Sequence, residues 1–257
     1  MSQTLEIAAI QANLFWEDPA ANRAYFDERL AAIKKEVELI ILPEMFATGF
    51  SMNPDGIADA GETLNWMRTK AAELKSAIAG SLMVKENDLH YNRFYFVTPG
   101  GSVTAYDKRH TFTLAKEHLT YTSGSKRLII EYKGWKICPL ICYDLRFPVW
   151  ARNTENYDLL LYVANWPKTR VNAWDALLKA RAIENMSYCI GVNRTGKDGD
   201  GYEYNGHTAV YDCLGILKSS EDFEDSFLQE IQLSKKHLQE TRAKLRFLED
   251  RDAFILK

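Results

Sequence analysis

Apolar positions along this chain fall into two spacings, and the segments that carry them alternate. Residues 5–11 form a short, bounded apolar run, which predicts a strand. Asp18 followed by Pro19 then supplies a helix start, a capping carboxylate with proline at the first helical position. Phe26, Leu30, Ile33 and Val37 fall at i, i+4, i+7 and i+11, one face of a helix. Residues 37–42 are continuously apolar with β-branched members and end at Pro43, which predicts a strand buried on both faces. Leu64, Met67, Ala71 and Leu74 mark a second amphipathic helix, and residues 77–84 another strand.

Strands without intervening helices come next. Residues 93–98 and 102–106, joined by Pro99-Gly100-Gly101, read as a hairpin, and 128–132 with 135–141 as a second. Residues 159–164 form one more buried strand. Trp174, Leu177, Leu178 and Ala182 define a helix, 188–192 a strand, and 207–212 with 216–218 a third hairpin. Residues 227–231 close the strands, and Ser234 caps a last helix carrying Leu238, Leu245 and Leu248. About a dozen strands with four or five helices are too many for one doubly wound sheet, so the pattern predicts two packed sheets with helices outside.

Composition narrows the class. The chain has 257 residues, of which 46% are hydrophobic, enough for a sizeable core without a disulfide or metal staple. It shows no linker, repeat or low-complexity tract, so residues 1–257 read as a single domain. The net charge is −3 and the basic residues are dispersed, which argues against a nucleic-acid partner. The longest apolar stretches, 137–143 and 159–164, fall far short of the ~20 residues of a membrane helix. No lysine or arginine precedes Arg23, and Glu6 interrupts the first apolar run, unlike a signal peptide. Cys138, Cys142, Cys189 and Cys213 form no CxxC pair and stand in apolar surroundings, as reduced thiols of a cytoplasmic protein do. The five histidines are scattered, with no spacing that suits a zinc site or a papain-like Cys–His pair.

Ligands in such folds sit beyond the carboxyl ends of strands, and three predicted ends carry reactive groups. Cys142 follows the strand 135–141, and residues 146–152 could form a helix with Pro148 in its first turn. A cysteine at such a turn is placed where a helix dipole stabilises a thiolate, although a buried structural role is the commoner fate of a free cysteine. Cys138, Cys189 and Cys213 fit that commoner fate. Glu44, just past Pro43, would be a partly desolvated carboxylate suited to general base work, or equally a helix N-terminal acid or an ion-pair partner. Lys108 in "YDKRH" and Glu117 in the loop-like "AKEHLTYTSG" are each unremarkable alone, a solvated surface being the ordinary place for them.

Together these segments resemble the nitrilase superfamily, the carbon–nitrogen hydrolases. The resemblance is carried by "LPEMFATGF" with Glu44, "YDKRHTF" with Lys108 and "ICYDLRFPVW" with Cys142, in that order, and by "LYVANWP" and "LLKARAIEN…GVNRTG" downstream. It runs from "IAAIQANLFWED" to "TAVYDCLGIL"; residues 242–257 match no motif. "NRFYFVTPGG", "CYDLRFPVW" and "ANWP" are most similar to the bacterial omega-amidases, which hydrolyse the side-chain amide of 2-oxoglutaramate.

The resemblance implies a four-layer α-β-β-α sandwich and dimerisation through helices. It implies no metal and no organic cofactor. It makes Cys142 the nucleophile, Glu44 the base, Lys108 an oxyanion-stabilising cation helped by the backbone N–H of Tyr143, and Glu117 the carboxylate that holds Lys108. For the substrate carboxylate, Arg146 and Arg170 are candidates. Arg146 could instead pair structurally with Asp144, and Trp166 could wall the pocket or pack in the core. Two other readings remain open. One is a nitrilase, a carbamoylase or another amidase on the same triad. The other is a metal-dependent phosphodiesterase of the DNase I type, which requires His–Asp pairs; none is evident near the C-terminal end.

Overall fold

A computed structural model describes residues 3–220 and 226–255. Eight strands form one sheet. β1 (Thr4–Asn13) runs parallel to β2 (Leu39–Ile41), which runs parallel to β3 (Ala77–Glu86). β4 (Leu89–Val97) and β5 (Val103–Asp107) extend it as antiparallel neighbours. On the other side, β10 (Arg194–Lys197) pairs with the end of β1 and carries β11 (Glu203–Asn205); β13 (Phe227–Ser234) lies antiparallel along the rest of β1. The second sheet has five strands: β6 (Ile130–Tyr132), β7 (Trp135–Ile141), β8 (Leu159–Val163), β9 (Tyr188–Val192) and β12 (Ala209–Tyr211). Its middle strands β7, β8 and β9 are parallel.

The alternation within β1 explains the layering. Ile7 and Ala9 point into a core shared with Ile137, Leu159 and Ile190 of the second sheet. Ala8 and Ile10 point the other way, against Phe26 and Leu30 of α1 (Pro19–Ala31) and Met67 and Ala71 of α2 (Glu62–Leu74). On the far side, Trp174, Leu178 and Ala182 of α5 (Val171–Asn185) cover the second sheet. The result is the α-β-β-α sandwich that the strand count predicted.

Local signals act where the sequence placed them, with four corrections. Asp18 does cap α1, its Oδ1 accepting from the Ala21 N–H at 2.9 Å, but the helix ends at Ala31. Ile33 and Val37 lie beyond it and pack on the same core, so core-facing loop residues extended the helical spacing by coincidence. The third hairpin keeps only β12. Its second arm shrinks to one bridge, Tyr211 to Leu217; away from the turn the Val210 N–H donates to the Ser219 side chain at 3.1 Å, and within it Asp212 accepts from the N–H groups of Leu214 and Ile216 at 2.9 and 3.0 Å. The expected helix at 146–152 is a 3-10 turn, Cys142–Arg146, followed by the one-turn α4 (Pro148–Ala151) with proline at its first position. Ser234 caps α6 (Lys235–Leu245) through the His237 N–H at 3.1 Å, and Leu248 falls outside it. The unmatched tail docks on its own chain: Arg242 binds the carbonyls of Met186 and Tyr157, and Arg251 that of Asn153.

Contact between α5 and β9 is set by Gly191. A Cβ there would lie 2.5 Å from Leu178 Cδ1 and 2.6 Å from Trp174 Cζ2. Gly191→Ala is therefore expected to cost about 1–3 kcal/mol by overpacking, read as a lower urea midpoint at an unchanged m-value; an unaltered midpoint would mean that α5 yields freely.

Candidate active site

Four strand ends converge at one pole of the sandwich. Glu44 follows β2, Lys108 follows β5, Cys142 follows β7 and Asn165 follows β8. β5 points the same way as β2 because two antiparallel steps separate it from β3. Two sheets thus deliver their chemistry to one place.

Lys108 sits between two carboxylates. Its Nζ donates to Glu44 Oε1 at 2.9 Å and to both Glu117 oxygens at 3.0 and 2.9 Å. The lysine is 1% exposed and neither glutamate is exposed at all. Glu117 is not in a loop; it opens a one-turn helix, α3 (Glu117–Thr120), and also accepts from the Phe112 N–H. Asn92, buried in β4, donates to Glu44 at 2.7 Å and Glu117 at 3.2 Å, while its Oδ1 accepts from Ser81 at 2.9 Å. The second oxygen of Glu44 accepts from the Asn165 N–H at 2.8 Å. Every oxygen of the two carboxylates is hydrogen-bonded, as buried charge requires.

Cys142 lies against this cluster, its thiol donating to the Asn165 carbonyl at 3.9 Å. Its φ of +43° is uncommon for a residue with a Cβ, and such strain is often stored at reactive turns. The thiol does not behave as helix-dipole reasoning anticipates. Burial and the adjacent Glu44 push its pKa well above the ordinary value, and the pull of Lys108 does not offset them. A five-residue 3-10 turn brings a small dipole, and two carboxylates stand close by. Burial also works against the Lys108 ammonium, but Glu117 and Glu44 outweigh it and hold its pKa above the lysine norm. Burial raises Glu117 against the pull of Lys108.

Cys142 and Lys108 open into a cavity of about 350 Å³. Phe50, Phe112, Tyr143 and Trp166 supply apolar wall. Trp166 is 3% exposed and packs on Trp174 at 5.4 Å, so it is both pocket wall and core. The Arg146 guanidinium carbon lies over the Trp166 ring, 4.9 Å from its centroid, and that of Arg170 over the Phe112 ring at 5.1 Å. Among the described residues neither has a carboxylate partner, and Asp144 is bonded elsewhere. Tyr143 is the second residue of the 3-10 turn, so its N–H has no acceptor within that turn.

Sequence reasoning missed Asn92, and it missed the wall formed by Asp198, Asp200 and Tyr202 between β10 and β11 and by Tyr204 in β11. Only "NRFYFV" and "GVNRTG", noted as family-like segments, pointed there. It also missed a His–Asp pair toward the C-terminal end, His237 to Asp212 at 3.3 Å, which joins a turn to α6. Among the described residues no group of three His, Cys, Asp or Glu side chains is placed to hold a metal ion, and no helix is long and apolar enough to cross a membrane.

Comparison with known proteins places the chain in a family. The carbon–nitrogen hydrolase family model matches residues 6–243. The chain is 45% identical to "Omega-amidase YafV" of Escherichia coli (strain K12) over 98% of both chains, and 32% identical to "2-oxoglutaramate amidase" of Bacillus subtilis (strain 168) over 87% of this chain and 88% of that one. XC1258 from Xanthomonas campestris, a CN-hydrolase superfamily protein solved with an arsenic adduct in its active site, superposes with a TM-score of 0.96 at 41% identity over the whole of both chains. The protein belongs to the carbon–nitrogen hydrolase family and is a hydrolase acting on carbon–nitrogen bonds.

A raised thiol pKa means that Cys142 rests protonated at neutral pH. Thiolate absorbance near ~240 nm, taken as wild type minus Cys142→Ser, is expected to stay flat from about pH 5 to 9. A signal already present at pH 7 would contradict this and favour a preformed thiolate.

Proposed function

We propose that this protein is an omega-amidase, which converts 2-oxoglutaramate and water to 2-oxoglutarate and ammonia through a thioester on Cys142. One observation carries the reading: a buried Glu44–Lys108–Glu117 cluster meets a cysteine at the floor of a small cavity whose arginines have no carboxylate partner among the described residues. Glu44 takes the thiol proton as Sγ attacks the amide carbon. Lys108 and the Tyr143 N–H receive the developing oxyanion. Glu44 returns its proton to nitrogen, the carbon–nitrogen bond breaks and ammonia leaves. Glu44 then draws a proton from water, which attacks the thioester, and the thiol is restored. Glu117 keeps Lys108 aimed. No step requires a metal or an organic cofactor.

Substrate size and charge support the particular amide. A cavity of about 350 Å³ is near the lower end of ligand sites and suits a five-carbon acid. A guanidinium clamps a carboxylate in two parallel hydrogen bonds, which fixes the distance from that carboxylate to the amide at Cys142. Arg146, four residues past Cys142, takes this role ahead of Arg170. The relatives named for 2-oxoglutaramate and for omega-amidase activity point the same way.

The catalytic unit is one domain spanning residues 1–257, placed in the cytoplasm, where its four free thiols would stay reduced. Ile183 on α5 is exposed, and the turn at Gly215, which closes against it, exposes Leu214 and Ile216; these apolar side chains support a homodimer. Light scattering should give twice the 29.5 kDa chain mass, and Ile183→Glu should halve it; a monomeric wild type removes the dimer.

Ammonia release from a panel of amides, nitriles and carbamoyl compounds tests the function. 2-oxoglutaramate should exceed glutamine and propionamide in kcat/KM, and Cys142→Ala should abolish release while Cys138→Ala retains it. Glu44→Gln and Lys108→Ala should each lower kcat by about 10²–10⁴-fold with circular dichroism unchanged. Arg146→Ala should raise KM for the keto acid more than for propionamide. Equal rates on glutamine and 2-oxoglutaramate would end the omega-amidase reading but leave a thiol amidase; a Cys142→Ala enzyme at full rate would end both.

A further inference from the structure

Asp144 stands two residues past Cys142, is fully buried, and takes no part in the steps above. Its Oδ2 accepts from the Tyr106 hydroxyl at 2.8 Å and from the Ile141 N–H at 3.0 Å. Its Oδ1 accepts from the His110 N–H at 3.0 Å and from His110 Nδ1 at 2.7 Å. A carboxylate facing three unambiguous donors acts as acceptor, so Nδ1 carries the imidazole proton. Tyr106 and His110 flank Lys108 at two residues on either side, and Ile141 immediately precedes Cys142. One carboxylate therefore joins both shoulders of the lysine, on the first sheet, to the strand end that carries the thiol, on the second.

The partners are themselves held. The Tyr106 oxygen accepts from the Arg109 N–H at 3.1 Å and from Trp150 Nε1 at 3.0 Å. The His110 ring stacks on Phe147, just past the nucleophile's turn, at 3.7 Å and 6°. Among the described residues no backbone ladder connects the two sheets, so beyond the shared apolar core it is side-chain bridges of this kind that tie the end of β5 to the end of β7.

We propose that Asp144 is a positioning residue that fixes the separation between the Lys108 ammonium and the Cys142 thiol. The requirement is geometric. The oxyanion grows on the carbon bonded to Sγ, and its donors must lie about 2.7–3.1 Å from it. A displacement of about 1 Å can cost on the order of 10²-fold in rate. The inference rests on the thiol amidase reading of this site, whichever amide is its substrate.

Asp144→Asn retains one acceptor oxygen and turns an NH₂ group toward two donors, which should shift the lysine's turn away from the thiol. The expected result, by the scale of such displacements, is a fall in kcat of about 30- to 100-fold with KM changed by less than about threefold. In a Lys108→Ala background the same substitution should cost less than about threefold, because the donor it positions is already gone. A second pair keeps the test open if Asp144→Asn fails to fold. His110→Asn places an amide donor where Nδ1 stood and should keep most of kcat, whereas His110→Ala should lose about tenfold. Near-native kcat in Asp144→Asn, equal losses in both backgrounds, or full activity in His110→Ala would overturn the inference. A wild type that hydrolyses nothing in the amide panel would overturn the functional reading and this inference with it; an active wild type beside an unaffected Asp144→Asn overturns this inference alone.

Discussion

An ammonium held between two carboxylates, with all three side chains removed from water, is the constraint around which this pole of the protein is arranged. Each ion loses hydration worth several kcal/mol even after relaxation, and attraction offsets that loss only when every remaining lone pair and proton finds a partner. Asn92, the Asn165 N–H and the Phe112 N–H provide those partners. They come from β4, from the end of β8 and from the turn before α3, so the cluster ties elements of both sheets together.

The same charge count sets the state of the nucleophile. Two carboxylates and one ammonium leave an excess negative charge, and a thiolate alongside would add a second. Burial and Glu44 keep the Cys142 thiol protonated, and on the proposed mechanism activation waits until Glu44 accepts its proton. This differs from a cysteine–histidine pair, which holds a resting thiolate. On that mechanism Lys108 acts on charge that develops in the transition state, in a cavity with partly apolar walls. On the proposed mechanism, Arg146 and Arg170 govern which amide reaches that point and Lys108 governs how fast it reacts.

The division between what could be read in the sequence and what could not follows from periodicity. Strands buried on both faces, such as β2 and β8, announce themselves as apolar runs, and Glu44, just past β2, inherits a position at the pole; Asn165, just past β8, does too, but it was not singled out in the sequence. Cys142 was legible for the same reason as Glu44. Lys108 and Glu117 were not, since a lone lysine or glutamate resembles any surface residue until the order of motifs gives it context. Asn92 was hidden because a polar residue inside an alternating strand signals solvent, whereas here it faces the cluster. The pocket wall at Asp198, Asp200, Tyr202 and Tyr204 was hidden because β10 and β11 are short and polar with two glycines, Gly199 and Gly201, between them, and pair through the last residues of β1 and each other. Val37 misled in the opposite sense, since a loop residue packed on a core can continue a helical spacing past the helix end.

The central claim is that Cys142 carries the acyl group while Glu44 and Lys108 serve it. Rapid acid quench of the enzyme with 2-oxoglutaramate, followed by peptide mass spectrometry, examines it most directly. The account predicts a 2-oxoglutaryl adduct on the peptide containing Cys142, formed before steady state and absent from Cys142→Ala. Steady ammonia release with no adduct at any time, and with Cys142→Ala still turning over, would contradict it.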